Sequence, residues 1–166
     1  MKISLRILTA CLVCCLIPAA QAKRAPNLEL KDLAGNTHKI AELRGSIVVL
    51  NFWATWCAPC QVEMPRFVQW QSQYGPRGLQ IIGISMDDDP ALARRLCAKL
   101  KVNYPVAMGD EKIGELYGGI LGLPVTFLID ANGEICLLYT SPCGRSPRSE
   151  SREHPGGPWP TAPPRR

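Results

Sequence analysis

The segment from Ile47 to Cys60 constrains this chain more than any other. Ile47-Val48-Val49-Leu50-Asn51-Phe52-Trp53 is too continuously apolar for a strand wetted on one side, so it reads as a central strand buried on both faces. Trp56-Cys57-Ala58-Pro59-Cys60 and a helix-permissive stretch follow directly. Such a strand-to-helix junction sets the first sulfur at a helix N-terminus, where unpaired N–H groups and the helix dipole favour a thiolate. Cys60 lies one turn further on. A nucleophilic thiol backed by a resolving thiol suits exchange with a disulfide through a mixed intermediate. Pro59 is tolerated in the first turn because its missing N–H would be unpaired there, and Pro65 is expected to bend the same helix.

Cys-x-x-Cys is also half of a metal site. The other cysteines beyond the N-terminal segment, Cys97, Cys136 and Cys143, are not spaced as a second pair, and the histidines are His38 and His154. Copper or zinc held between Cys57 and Cys60 stays open as an alternative; no resident metal and no cofactor are expected. A purely structural disulfide would stabilise little, since so short a loop has little closure entropy to remove. Cys97 reads as a small buried hydrophobe.

The N-terminus reads as a secretory signal. Lys2 and Arg6 precede the apolar run Ile7 to Ile17, and Ala20-Gln21-Ala22 fits a small-x-small cleavage site. A cleaved signal at residues 1–22 and a periplasmic or secreted protein starting near Lys23 are therefore expected. The alternative, an uncleaved anchor, has an apolar run shorter than the ~20 residues that span a bilayer. Leu8-Thr9-Ala10-Cys11 is a poor lipoprotein box, because Cys11 precedes the end of that run.

With 166 residues and 46% hydrophobic content the chain can build one domain with a real core. Its net charge of +5 comes from the two ends, since residues 23–135 carry 12 basic and 12 acidic side chains. The domain has no basic footprint for nucleic acid.

Along that domain, Asn27–Leu33 and Thr37–Ile40 around Gly35-Asn36 predict a β-hairpin. Leu79–Ser85 predicts a second buried strand. Asp87-Asp88-Asp89-Pro90 reads as a solvated turn with Asp89 capping a helix over Ala91–Leu100. Val102–Ala107 predicts a strand, Asp110–Tyr117 a helix ending at Gly118-Gly119, and Val125–Ile129 another strand. Asn132-Gly133 then turns the chain so that Glu134 opens an antiparallel strand. Strands alternating with helices and finished by a hairpin give an α/β fold with a mixed sheet. From Cys136 the composition turns to Pro, Ser, Gly and Arg without periodicity. Residues 136–166 are expected to be a disordered tail, the product of out-of-frame or chimeric translation.

Phe52-Trp53-Ala54-Thr55-Trp56-Cys57-Ala58-Pro59-Cys60 and Gly122-Leu123-Pro124-Val125-Thr126-Phe127-Leu128-Ile129-Asp130 together resemble thioredoxin-fold proteins of the periplasmic TlpA/ResA-like group, over about Ala25 to Ile135. The resemblance implies a thioredoxin-like three-layer sandwich with a mixed central sheet, preceded by an N-terminal β-hairpin. The family's C-terminal helix has no counterpart in the sequence after Ile135, which would leave one sheet face uncovered.

The same resemblance implies a thiol-disulfide oxidoreductase with a Cys57–Cys60 redox disulfide, Cys57 attacking and Cys60 resolving. Glu63-Met64-Pro65 is similar to the group's Glu-x-Pro, which implies that Glu63 accepts a proton or modulates the thiols. Asn51 stands where ordinary thioredoxins keep a buried acid, which moves that burden toward Glu63. Pro124 matches the family's cis-proline, Leu123 would offer its backbone to an extended substrate, Trp56 would form the rim, and Trp53 would pack in the core.

Implied partners are exported proteins with cysteine pairs, apocytochromes c among them, and a membrane thiol carrier as electron donor. Nucleic acid is not implied. An inert truncated product is a further alternative. So is a peroxidase, although peroxiredoxins use a lone cysteine in a Thr/Pro-rich loop.

Overall fold

The computed structural model describes residues 23–140; the predicted signal and everything after Thr140 lie outside the described residues. Five strands form one mixed sheet. Its centre is β3 (Ile47–Trp53), flanked in parallel by β4 (Leu79–Ser85) and antiparallel by β6 (Val125–Ile129). Beyond β4 runs β5 (Val106–Met108), and beyond β6 runs β7 (Ile135–Thr140), for a spatial order β5-β4-β3-β6-β7. A separate two-stranded hairpin, β1 (Glu29–Lys31) and β2 (Thr37–Lys39), precedes it. This is the thioredoxin-like α/β fold expected from the sequence.

Alternation along β3 divides the core. Val48, Leu50 and Phe52 point to one face, where they meet Leu28, Leu30 and Ile40 of the hairpin region, Tyr117, and Val125, Phe127 and Ile129. Val49 and Trp53 point to the other, beneath α1 (Ala58–Tyr74) and α2 (Pro90–Leu100), against Met64, Phe67, Ala93 and Leu96. Trp53 is fully buried, and its indole lies so close over β4 that a Cβ on Gly83 would sit 2.9 Å from Nε1. Trp53 is therefore a packing residue, as expected.

The hairpin turns on Asp32. Its carboxylate accepts from the backbone N–H groups of Ala34 and Asn36 at 2.9 and 2.8 Å, from the Asn36 amide, and from His38 Nε2 at 2.8 Å. These contacts consume the residues around the turn, so each strand is shorter than predicted. Leu33 N–H also donates to Val106 C=O, which caps the β5 edge of the sheet.

Asp89 caps α2 by accepting from Ala91 N–H, and Asp110 caps α3 (Glu111–Leu116) through Ile113 N–H. Helix α1 runs through Pro65 from Ala58 to Tyr74. The predicted strand Val102–Ala107 is observed only from Val106, because Lys101 turns left-handed (φ 54°) and Pro105 has no N–H to pair.

The last strand corrects the sequence reading. Residues 136–140 were expected to fall in the tail, yet β7 continues to Thr140, so the folded domain passes the Ile135 boundary. The free edge of β6 supplies backbone partners whatever the side chains, and that edge rather than a periodic pattern orders the segment. Leu137, Leu138 and Tyr139 remain 56, 55 and 51% exposed.

Two outcomes follow from these elements. Partial burial pushes the Asp32 carboxyl up, but the hydrogen bonds from His38, Asn36 and Ala34 outweigh it and hold the pKa down to about 2. A depressed carboxyl stabilises the fold above its unfolded value and stops doing so as pH falls through its folded value. Asp32→Ala is thus expected to cost on the order of 1 kcal/mol at pH 7, as loss of a capping carboxylate does. In urea melts the gap to wild type should close between pH 4 and pH 2. An uncharged apolar edge strand also invites edge-to-edge pairing. Replacing Leu138 and Tyr139 by lysine should reduce concentration-dependent light scattering with little change in thermal midpoint; equal scattering would show that β7 is not the sticky element.

Candidate active site

Chain direction places the site. β3, β4 and β5 are parallel, and their C-terminal ends, Trp53, Ser85 and Met108, align across the sheet. The chain leaves β3 through Ala54-Thr55-Trp56 and enters α1 at Ala58, with Cys57 as the N-cap. Cys57 is extended (φ −86°, ψ 98°), its Sγ accepts from the Cys60 N–H at 3.3 Å, and its backbone C=O accepts from Gln61 N–H. Cys57 and Cys60 are joined by a disulfide with Cα atoms 5.3 Å apart. The pair sits just beneath the surface, at 4 and 1% exposure, while the neighbouring Trp56 stands 71% exposed as a rim. In this oxidised form the access to Cys57 is narrow, narrower than the sequence alone implied.

The antiparallel register brings the second motif alongside. Phe52 pairs with Val125, so the ladder stops where Pro124, which has no N–H, would face Trp53. The Leu123–Pro124 peptide is cis, Pro124 is fully buried, and Leu123 packs against the core cluster that contains both cysteines. Cys57, Cys60, Leu123 and Pro124, remote in sequence, thus meet at one end of the sheet. Glu63 follows on α1, half-buried, with Oε2 screened from solvent. Asn51 is buried in the sheet and its Nδ2 donates to Thr126 Oγ1 at 2.9 Å. That amide is engaged within the sheet.

One residue of the site was missed by sequence reasoning. Asp87, read as part of a solvated turn, is only 6% exposed and points back at the dithiol loop. Its two oxygens accept from Thr55 N–H at 3.1 and 3.0 Å, from Thr55 Oγ1 at 2.6 Å and from Ser85 Oγ at 2.7 Å. Gln61 Nε2 grips the same residue from the helix side, donating to Thr55 C=O at 2.7 Å. The signal was present in the sequence: an extended chain continuing past Ser85 puts Asp87 on the same side as Ser85, whereas Asp88 is exposed and Asp89 caps.

Cys97, on α2, is half-buried and packs against the dithiol cluster without a disulfide partner. Burial, helped by the Asp87 charge, pushes its thiol up to about 11. Cys136 is exposed on β7. Among the described residues no group of three or more His, Cys, Asp or Glu side chains gathers as a metal site, and no helix is long and apolar enough to cross a membrane.

An open helix N-terminus, a vicinal cysteine pair, a cis-proline loop and an aromatic rim on this sheet define a thioredoxin-like redox fold. The chain belongs to the AhpC/TSA family, whose sequence profile matches residues 22–137. It is 35% identical over 115 residues to the thiol-disulfide oxidoreductase ResA of Bacillus thuringiensis, covering 68% of this chain and 65% of that protein. It is 30% identical over 136 residues to ResA of Geobacillus thermodenitrificans, covering 81 and 76%. Among solved structures, the thiol:disulfide interchange protein of the thioredoxin family from Chlorobium tepidum superposes with a TM-score of 0.70 at 30% identity, covering 75% of this chain and 89% of that one. The chain therefore spans slightly less than two thirds of the Bacillus relative.

The thiols should be separable by labelling. A thiol held near 11 is almost wholly neutral at pH 7, and only thiolate reacts. In the reduced protein, Cys97 alkylation by iodoacetamide should be slow and rise about tenfold per pH unit from pH 7 to pH 10. Peptide mass spectrometry reads this directly, and fast labelling of Cys97 at pH 7 would contradict the burial argument.

Proposed function

We propose that this protein is a thiol-disulfide oxidoreductase that reduces disulfides of exported proteins. The observation that carries the reading is the Cys57–Cys60 pair at the N-terminus of α1, rimmed by Trp56 and flanked by the Leu123–Pro124 loop. The likeness to ResA proteins and to a thiol:disulfide interchange protein supports it.

In the reduced enzyme Cys57 is the thiolate, stabilised by the N–H groups and dipole of α1. An extended client strand lies along the backbone of Leu123 and over the face of Trp56, as a strand adds to a sheet edge. Cys57 Sγ attacks one client sulfur, forming a mixed disulfide and expelling the other client sulfur as thiolate. Cys60 loses its proton to Glu63 and attacks Cys57 Sγ. The Cys57–Cys60 bond forms, the mixed disulfide breaks, and the second client thiolate leaves. Two electrons have passed to the client, which takes up two protons on becoming a dithiol.

The enzyme is then in the disulfide state seen here and must be recharged by another dithiol. With the predicted leader directing export, the donor is a membrane thiol carrier, and clients such as apocytochromes c present their cysteine pairs outside the cytoplasm.

Cys60→Ser removes the resolving sulfur and leaves the attacking one. This variant should accumulate clients bound to Cys57 as mixed disulfides, visible on non-reducing gels and released by dithiothreitol, while Cys57→Ser should trap none. A folded Cys60→Ser protein that traps nothing, or a reduced wild type that holds stoichiometric copper or zinc and exchanges no disulfide, would refute the proposal.

A further inference from the structure

We infer that Asp87 is a positioning residue for the dithiol: it holds Thr55, and through Thr55 the presentation of Cys57 and Trp56. The inference rests on the exchange activity proposed above. The loop from Ala54 to Trp56 has left the β ladder on one side and has not yet entered α1, so its backbone lacks the partners that secondary structure supplies. Asp87 supplies the one for the Thr55 N–H.

Three donors converge on this one buried carboxylate. Thr55 N–H is shared between both oxygens, Thr55 Oγ1 donates at 2.6 Å, and Ser85 Oγ donates from the end of β4 at 2.7 Å. The Asp87 N–H in turn donates to Ser85 Oγ at 3.3 Å, which closes the loop of contacts onto the sheet. Met86 N–H donates to Trp53 C=O at 2.8 Å, so β3 and the segment carrying Asp87 stay bound one residue before the loop begins. With Gln61 Nε2 on the Thr55 carbonyl, every polar group of Thr55 is fixed, the N–H and hydroxyl to Asp87 just beyond β4 and the C=O to α1.

Two residues later comes the attacking sulfur. Its thiolate depends on alignment with the first turn of α1, an orientation effect that falls off within that turn. A loop free to swing would carry Cys57 out of it.

The sign of the effect separates positioning from charge. Removing a nearby negative charge by itself favours a thiolate and speeds alkylation; releasing the loop does the opposite. In Asp87→Asn the amide oxygen still accepts from Thr55, and the Ser85 and Thr55 hydroxyls can turn to accept from the new NH2, so position is kept while charge is lost.

The test uses the full chain, reduced, with iodoacetamide labelling of Cys57 from pH 5 to 9 and the exchange equilibrium with glutathione. Wild type must first exchange with glutathione; failure there refutes the proposed activity and not this role. Asp87→Ala should label at least tenfold more slowly at pH 7 and shift the equilibrium about tenfold toward the disulfide, or about 30 mV less oxidising for a two-electron couple. Asp87→Asn should restore both to within threefold of wild type. Thr55→Val, which deletes one donor and keeps the carboxylate, should slow labelling three- to tenfold, and it tests the role if Asp87→Ala does not fold. Faster labelling in Asp87→Ala, an Asn variant as slow as the Ala variant, or a folded Ala or Val variant within twofold of wild type would overturn the inference.

Discussion

Two hydrogen-bonded ladders grip Ile47–Trp53, parallel to Leu79–Ser85 on one side and antiparallel to Val125–Ile129 on the other, and the dithiol sits where they end. The β6 ladder ends at Phe52 and the β4 ladder at Trp53, each for a chemical reason. On the β6 side the next partner is Pro124, which cannot donate; on the β4 side Met86 makes the last bond to the Trp53 carbonyl before the chain turns into the acidic segment. The backbone released at Ala54 can then swing across the end of the sheet and start a helix whose first N–H groups face the sulfurs. A residue added to or removed from β3 would reverse the faces of Val49 and Leu50 and displace Cys57 from α1.

Burial gives that frame its rigidity. Both faces of β3 are covered, by the hairpin and α3 region on one side and by α1 and α2 on the other, so the strand has no wet face to slip toward. The site is built at the rim of this packed core, with Trp56 projecting outward and both cysteines just below the surface. The far edge of the sheet is different. β7 pairs with β6 along one side, and among the described residues its outer side is bonded at its start, where Ile135 N–H donates to Lys23 C=O; its leucines and tyrosine remain exposed, so order there comes from backbone pairing without much apolar burial.

How much was legible varied with the range of the interactions involved. The buried runs of β3 and β4, the Asp89 cap and the Asn-Gly turn before β7 are local patterns, and each appears where the residues place it. The cysteine pair was legible as chemistry because its spacing is itself one helical turn. The extent of β7 was not legible, since Cys136-Leu137-Leu138-Tyr139 carries no alternation and is ordered by a neighbour strand. Asp87 escaped for a related reason: three adjacent acids look alike in sequence, but one is buried, one exposed and one a cap.

The sequence by itself determined the order of strands and helices, the helix starts, and the presence of a dithiol at a strand-to-helix junction, because propensity, capping and periodicity act over a few residues. Tertiary structure alone decided which distant groups surround that dithiol. The antiparallel register carries Leu123 and Pro124 to it, and the parallel crossover through α1 brings Asp87, held by Ser85, against Thr55, across 32 residues of chain. Those partners are set by which strand edges meet in space, a property no window of sequence contains.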